Sequence, residues 1–423
     1  MNIMRNRPLR NRSKDLRKAS VHRKNLQIAT FEGIPSTIFQ VLLQGQFLTG
    51  FLLYLGASSS QIGFVLALTT LVNVAQIGVA FLIQRLPSRK WALVTFIGLH
   101  RLLWGSTGLV PFVPQEHWVT AFIVLYTIAF IANTAGGVLW NSVISDLVPA
   151  RVRGRYFGIR NTFLNALGSL VMYGGGIILD RYPGGHGFLI LYIVVWVFSI
   201  SNIVVFFFYP DVPFEKSEEK AFLPMLKKPL QDKLFMKSTL FLSAWLLLQN
   251  LTVPLYSYVM LQLLNINYEK LSLLNVAQTV FMMASFYVWG NLNARHSNKK
   301  LLLWTLPIIA VSSLIWGLLS VLPMLPVLFA AHIVFGVGVG GFNQLAFNFI
   351  IGDTPKRERP MYMAMYAALT GLAAFFGPLL GGRIYEWIKE WPQWMQIYGM
   401  QLVVGVLMIL LALLLGRRIL RDE

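Results

Sequence analysis

Apolar positions in this chain come in long unbroken runs, without the period of 2 or 3.6 that marks a half-buried strand or helix. The clearest run is 188–209, FLILYIVVWVFSISNIVVFFFY, which holds no charged residue. A helix rises about 1.5 Å per residue, so roughly 20 such residues cross a hydrocarbon core of about 30 Å. Twelve segments of this kind are predicted, at 28–54, 60–84, 91–113, 117–143, 156–180, 186–209, 238–264, 270–292, 300–322, 325–351, 361–385 and 394–416. In lipid the backbone must satisfy its own hydrogen bonds, which leaves helices or a closed barrel. Barrel strands are about ten alternating residues, far shorter than these runs. The pattern therefore predicts an all-α membrane protein with twelve transmembrane helices.

Composition agrees. Of 423 residues, 56% are apolar and only 13% charged, against about 25% charged in soluble domains. There is no cysteine, which excludes disulfides and thiolate metal sites. The first 24 residues are basic, but no short apolar core with a small-residue cleavage site follows them. The first span is expected to direct insertion itself.

A net charge of +19 raises the question of a nucleic-acid partner. The positions of the charges answer it. Of the 36 Lys and Arg, 31 fall in the tail before the first span, in the even-numbered loops and in the C-terminal tail. Three fall in odd-numbered loops (Arg181, Lys270, Lys389), and Arg101 and Arg383 lie within spans. Cytoplasmic loops are enriched in Lys and Arg, so both termini are expected in the cytoplasm of a bacterial plasma membrane. The basic tail then serves topology and anionic lipid headgroups, and no nucleic acid.

One even loop, LVPARVRGRYFGIRN at 147–161, crowds Arg151, Arg153, Arg155 and Arg160 into ten residues, read as a cytoplasmic turn that pins two helix ends. The turn has a second copy. NSVISDLVPARVRGRYFGIR (141–160) aligns with NFIIGDTPKRERPMYMAMY (348–366). Asn141 then matches Asn348, Asp146 matches Asp353, Arg153 matches Arg359 and Tyr156 matches Tyr362. Further on, Gly176 matches Gly382 and Asp180 matches Glu386, both 206 residues apart. AFLIQRLPSRK (80–90) is echoed by GNLNARHSNKK (290–300) at an offset of 210. Such a parallel repeat predicts two pseudo-symmetric six-helix bundles, 28–209 and 238–416. A cytoplasmic linker, 210–237, joins them, and tails 1–27 and 417–423 flank them. This is one of the established transporter architectures.

With these features the sequence resembles the major facilitator superfamily over its whole length. The loops after spans 2 and 8 are similar to that family's G-x-L-x-D-R-x-G-R-R element in degenerate form. Ala80, Leu82, Arg85, Arg89 and Lys90 stand in one copy, and Gly290, Leu292, Arg295, Lys299 and Lys300 in the other. Gln84 and Ala294 replace the family's Asp. The RGRYFG loop resembles an uncharacterised bacterial subgroup. GPLLGG at 377–382 resembles a drug-antiporter element, but sits in span 11 where those antiporters carry it in span 5. The resemblance implies spans 1, 4, 7 and 10 around a central cavity.

Chemistry is sparse. FGVGVGG at 335–341 has glycine-loop spacing, but it lies inside an apolar span with no strand before it, so no cofactor is expected. Nothing resembles a catalytic triad or paired acids, so no enzymatic role is expected. Asp146 and Asp353 precede Arg153 and Arg359 across their turns. With Arg155, Arg85 and Arg295 they are candidates for a cytoplasmic gate, the alternative being a static brace. Glu32 and Arg101 are ionisable at depth, where each costs about 2.5–3.5 kcal/mol alone. Helix rise puts them roughly 12 and 16 Å from basic anchors, a depth at which they can pair. Glu32 is the candidate proton carrier, with Arg101 tuning it or holding an anion.

On the spans implied to line the cavity, the candidates are Gln40 and Gln44, an i,i+4 pair, then Asn133, Trp140 and Asn141. Gln249, Asn250 and Tyr256 follow in span 7, and His332, Asn343, Gln344 and Asn348 in span 10. Amides and aromatics suit a neutral polar or amphipathic solute, the alternative being interhelical hydrogen bonds. His100 and His332 lack metal spacing, so no metal is expected. The expectation is a monomeric secondary active transporter of a small molecule, driven by protons. A ligand-binding membrane sensor is the alternative.

Overall fold

In a computed structural model the backbone is described for residues 9–70, 88–148, 150–211, 227, 229–352 and 359–420. Side chains are described over the same residues except 9–24, 145–146, 150–155, 158, 347–352, 359–361 and 364. Among the described residues the ordered secondary structure is helical, and eleven helices are long and apolar enough to cross a membrane. The expected span 60–84 is described as helix only over 59–70.

The N-terminal bundle contains α1 (Leu9–Leu43), α2 (Gly45–Tyr54), α3 (59–70), α4 (Arg89–Ser106), α5 (Trp118–Leu147), α6 (Ala150–Arg181) and α7 (Gly185–Phe207). The C-terminal bundle contains α8 (Lys233–Asn250), α9 (Tyr268–Asn293), α10 (Asn298–Ile315), α11 (Met324–Gly352), α12 (Arg359–Trp387) and α13 (Met400–Leu411). Within the first bundle α4 packs on α5 and α1 on α7, and within the second α10 packs on α11 and α8 on α12. One face of the molecule carries the end of α5, the start of α6, the end of α7 and the start of α8. The distal face carries the turns near 113, 183, 266 and 391.

Three expectations need correction. The first span is two helices, because Gly45 takes φ +55, a left-handed conformation that only glycine adopts cheaply, and Gln44 is extended. Gln40 and Gln44 are therefore no i,i+4 pair, and Gln44 turns to the surface. The seventh span also breaks after Asn250, where Pro254 lies in a single 3-10 turn, Val253–Leu255. And the arginine cluster 151–160 is no loop: α6 starts at Ala150. Ten residues on, Arg160 lies about 15 Å into the helix.

The bundles meet on the distal face through a seam built twice. At the end of α6, Asp180 accepts hydrogen bonds from the first amides of α9, Tyr268 N at 2.9 Å and Glu269 N at 2.7 Å. At the end of α12, Glu386 accepts from Ser59 Oγ at the start of α3, at 3.0 Å. These acids are the repeat partners, and each meets the start of the equivalent helix in the other bundle. One turn earlier the repeat-related glycines make close backbone approaches to the opposite bundle. A Cβ on Gly176 would lie 2.8 Å from Tyr268 O, and one on Gly382 would lie 2.5 Å from Ser59 O.

Free helix amides carry partial positive charge, so an acid aimed at them is favourable. Asp180 acts as an N-cap supplied by the other bundle, alongside Asn267, the cap from the same chain segment. Asp180→Ala is expected to cost about 1 kcal/mol and to lower the melting temperature of the purified protein, while Asp180→Asn keeps most of it. Equal melting of Asp180→Ala and the parent would show that the cap contributes nothing.

Candidate functional site

A cavity of about 270 Å³ opens inside the N-terminal bundle between α1, α4, α5, α6 and α7. Glu32 and Arg101 both line it. They are 3% and 2% exposed, so each needs partners.

The direct partner of Glu32 is not Arg101. Arg160 Nη2 lies 3.3 Å from Glu32 Oε2, and Arg160 Nε donates to Ala29 O at 3.3 Å. The guanidinium carbon stands 5.3 Å from the Trp140 ring. Space for this comes from Gly33, one residue past Glu32: a Cβ there would fall 2.8 Å from Arg160 Nη2. Asn202, in the last two turns of α7, connects the two halves of the network. Its Nδ2 donates to Glu32 O at 3.1 Å and Oε1 at 3.4 Å, and its Oδ1 accepts from Arg101 Nε at 2.9 Å.

Each of the other two nitrogens of Arg101 also has a partner in the wall. Nη2 donates to Ser36 Oγ at 2.9 Å and Nη1 to His100 Nδ1 at 2.7 Å, while its carbon lies 4.5 Å over the Phe39 ring. His100 itself is enclosed by Phe39, Trp104 and Phe130. It is a fixed acceptor for the arginine. Arg101 is thus a held cation, one amide away from the carboxylate.

The other candidates divide. Gln40, Asn133, Trp140 and Asn141 line the cavity; Gln40 donates to Ser36 Oγ at 3.2 Å, and Trp140 Nε1 donates to Tyr209 OH at 3.3 Å. In the C-terminal bundle Tyr256 is buried against Trp316 and meets Ser313 Oγ at 3.3 Å. His332 is buried with Nδ1 on its own helix, 2.8 Å from Leu328 O. Asn250 donates to Leu246 O and packs under Gly377. These three serve their own bundle. Gln249 and Gln344 each hold a buried Oε1 with no hydrogen-bond partner among the described residues, and Asn343 is exposed. Among the candidates of this bundle, these three have hydrogen-bonding capacity to offer.

Of the gate candidates, Arg295 is exposed at the end of its turn. Arg85 and Asp353 lie outside the described residues, as do the side chains of Asp146, Arg153, Arg155, Arg359 and Asn348.

Sequence reasoning missed Asn202, Ser36 and the role of Arg160. Asn202 had a signal: it is the single amide in a run otherwise without charge or amide, 188–209. Arg160 had one too, since counting helix rise from Pro149 places it at the depth of Glu32.

The sequence profile of the Major Facilitator Superfamily matches this chain twice, over residues 35–252 and 240–422. The chain belongs to that superfamily. Multidrug resistance protein 3 of Bacillus subtilis is 25% identical over 141 residues, 33% of this chain and 26% of that protein. The efflux pump aflT of Aspergillus parasiticus is 38% identical over 95 residues, 22% of this chain and 18% of that protein. The aligned parts are thus about a quarter or less of these relatives' own length. Among solved structures, the nucleoside transporter NupG in a mutant form superposes with a TM-score of 0.72 at 14% identity, covering 93% of this chain and 98% of that one. A D-xylose-proton symporter gives 0.71 at 13%, covering 91% and 96%. Likeness at this level shows the shared fold of two six-helix bundles.

Proposed function

We propose that this superfamily member is a secondary active transporter. It would move a small solute by alternating access between the bundles 28–209 and 238–416, with Glu32 carrying the coupling proton. The carrying observation is the buried Glu32–Arg160–Asn202–Arg101 network on a cavity inside a bundle whose distal edge is closed against the other by two small-residue seams. Small residues let helices approach closely and part again without side chains to disentangle. Protonating Glu32 would remove the charge that holds Arg160, freeing a guanidinium that is otherwise engaged.

The linker face is assigned to the cytoplasm from its Lys and Arg, in a bacterial plasma membrane. With the distal seam closed, alternating access would have this conformation face the linker side. The protein is taken as a monomer, since each chain carries both bundles.

The test begins with a thermal-shift screen of purified protein against sugars, nucleosides, drugs and organic acids, because a ligand of the folded state raises its melting temperature. The ligand found is then followed in proteoliposomes under an imposed pH gradient. Wild type is expected to accumulate it against its gradient, and Glu32→Gln to exchange it without accumulation. Accumulation by Glu32→Gln with the parental pH dependence removes the proton role. Binding with no flux in either protein identifies a sensor instead.

A further inference from the structure

We infer that the cavity is built for a small organic anion, one carboxylate or equivalent group on a compact body, docking against Arg160 beside Arg101. This deepens the transporter reading and rests on it. The first observation is the charge count at depth. The network holds two guanidiniums and one carboxylate, so it is positive by one charge with Glu32 ionised and by two with Glu32 protonated. The surplus exists in either state.

The second observation is that the predicted spans of the opposite bundle hold no acid to cancel it across the cleft. The spans 238–264, 270–292, 300–322, 325–351, 361–385 and 394–416 contain no Asp or Glu at all. In the N-terminal bundle the other span acid is Asp180, which is committed to the distal seam. An uncompensated charge in a low-dielectric site is costly, and a ligand of opposite sign relieves that cost on binding.

Third, the two arginines differ in their engagement. Arg101 has Nε, Nη1 and Nη2 all occupied by the wall. Arg160 is held through Nε and Nη2, and its fork lies beside the indole of Trp140 at the cavity. A planar guanidinium presents paired donors that match a carboxylate. Arg160 is therefore the contact group, Arg101 the fixed background charge, and Trp140, Asn133 and Gln40 the surface for the body of the anion. The neutral solute expected from the amides alone gives way once Arg160 is placed in the site.

The absence of cysteine permits a direct test that needs no knowledge of the natural ligand. Thr37→Cys puts a single thiol on the cavity wall. The purified full-length protein in detergent is treated with an anionic thiosulfonate (sulfonatoethyl) and a cationic one (trimethylammonioethyl). Each rate is divided by that for free cysteine. The anion-to-cation ratio is expected to be raised about tenfold or more by the surplus charge, kept when Arg160→Lys is added, and much reduced when Arg160→Gln is added.

A ratio at or below that of free cysteine overturns the inference, as does failure of both reagents to react, since the cavity would then be closed to ions. A preference that survives unchanged in Arg160→Gln overturns the role of Arg160. A parallel melting series pairs small carboxylates with their own amides. Stabilisation confined to the carboxylates supports the inference, and equal stabilisation by the amides overturns it. None of these readouts depends on transport, so their failure is separable from that of the coupling test with Glu32→Gln.

Discussion

Gly382→Val is expected to open the distal seam, raising the labelling rate of a cysteine at position 46 about tenfold or more. Gln46 is 2% exposed, and it closes the seam from the N-terminal side: its Nε2 reaches Ser272 Oγ at 2.5 Å, and Asn275 Nδ2 donates to its Oε1 at 2.9 Å. Gly382 Cα sits against Gly63 across the bundles, and the atoms a side chain would strike, Ser59 O and Gly63 Cα, belong to backbone and cannot rotate away. The bundles must separate to accept the branched residue. A tenfold change in the accessible population corresponds to only about 1.4 kcal/mol, within the roughly 1–3 kcal/mol that overpacking costs. Labelling of Gln46→Cys with a membrane-impermeant thiol reagent, with and without Gly382→Val, reads the change. The parent chain contributes no background because it has no cysteine. Equal rates would show that this contact does not control the distal side. Gly176→Val, at the repeat-related position, is expected to act in the same direction.

Arg160→Ala is expected to destabilise the folded protein by about 3–5 kcal/mol, because it leaves the buried carboxylate of Glu32 without its ion-pair partner. Glu32→Gln should cost less, since the amide still meets Asn202 and removes a charge. The informative comparison is the double variant Glu32→Gln with Arg160→Gln. If the two side chains act as a pair, its cost falls well short of the sum of the single changes, with a coupling in the range of 0.5–3 kcal/mol seen for residues in one network. Reversible unfolding of the four proteins in mixed micelles supplies the cycle. Strict additivity would mean that the 3.3 Å contact carries no energy. The same series separates Arg160 from Arg101. Arg101→Gln leaves Asn202 Oδ1, Ser36 Oγ and His100 Nδ1 without their shared donor, so its cost lies in the wall of the bundle and is not relieved by Glu32→Gln.

Which parts of this protein are determined by sequence, and which by tertiary structure, follows from the range of the forces involved. Lipid allows only internally hydrogen-bonded segments, so each apolar run is a helix whatever surrounds it, and the spans, the all-helical class and the doubling of the chain are local properties. The repeat partners Gly176 and Gly382, and Asp180 and Glu386, were also visible as a pattern. What they do was not: each closes on a helix of the opposite bundle, some 90 residues away for Asp180 and over 320 for Glu386, and only docking brings those ends together. The depth of Glu32 and Arg101 was likewise legible, because depth is counted along one helix. Their partners were not, because the choice between Arg101 and Arg160 for Glu32 depends on how α1 and α6 are rotated and on the missing side chain at Gly33. Asn202 shows the same limit: an amide in an apolar run announces a polar contact, and only the packing of α7 on α1 and α4 says that the contact is a carboxylate on one side and a guanidinium on the other.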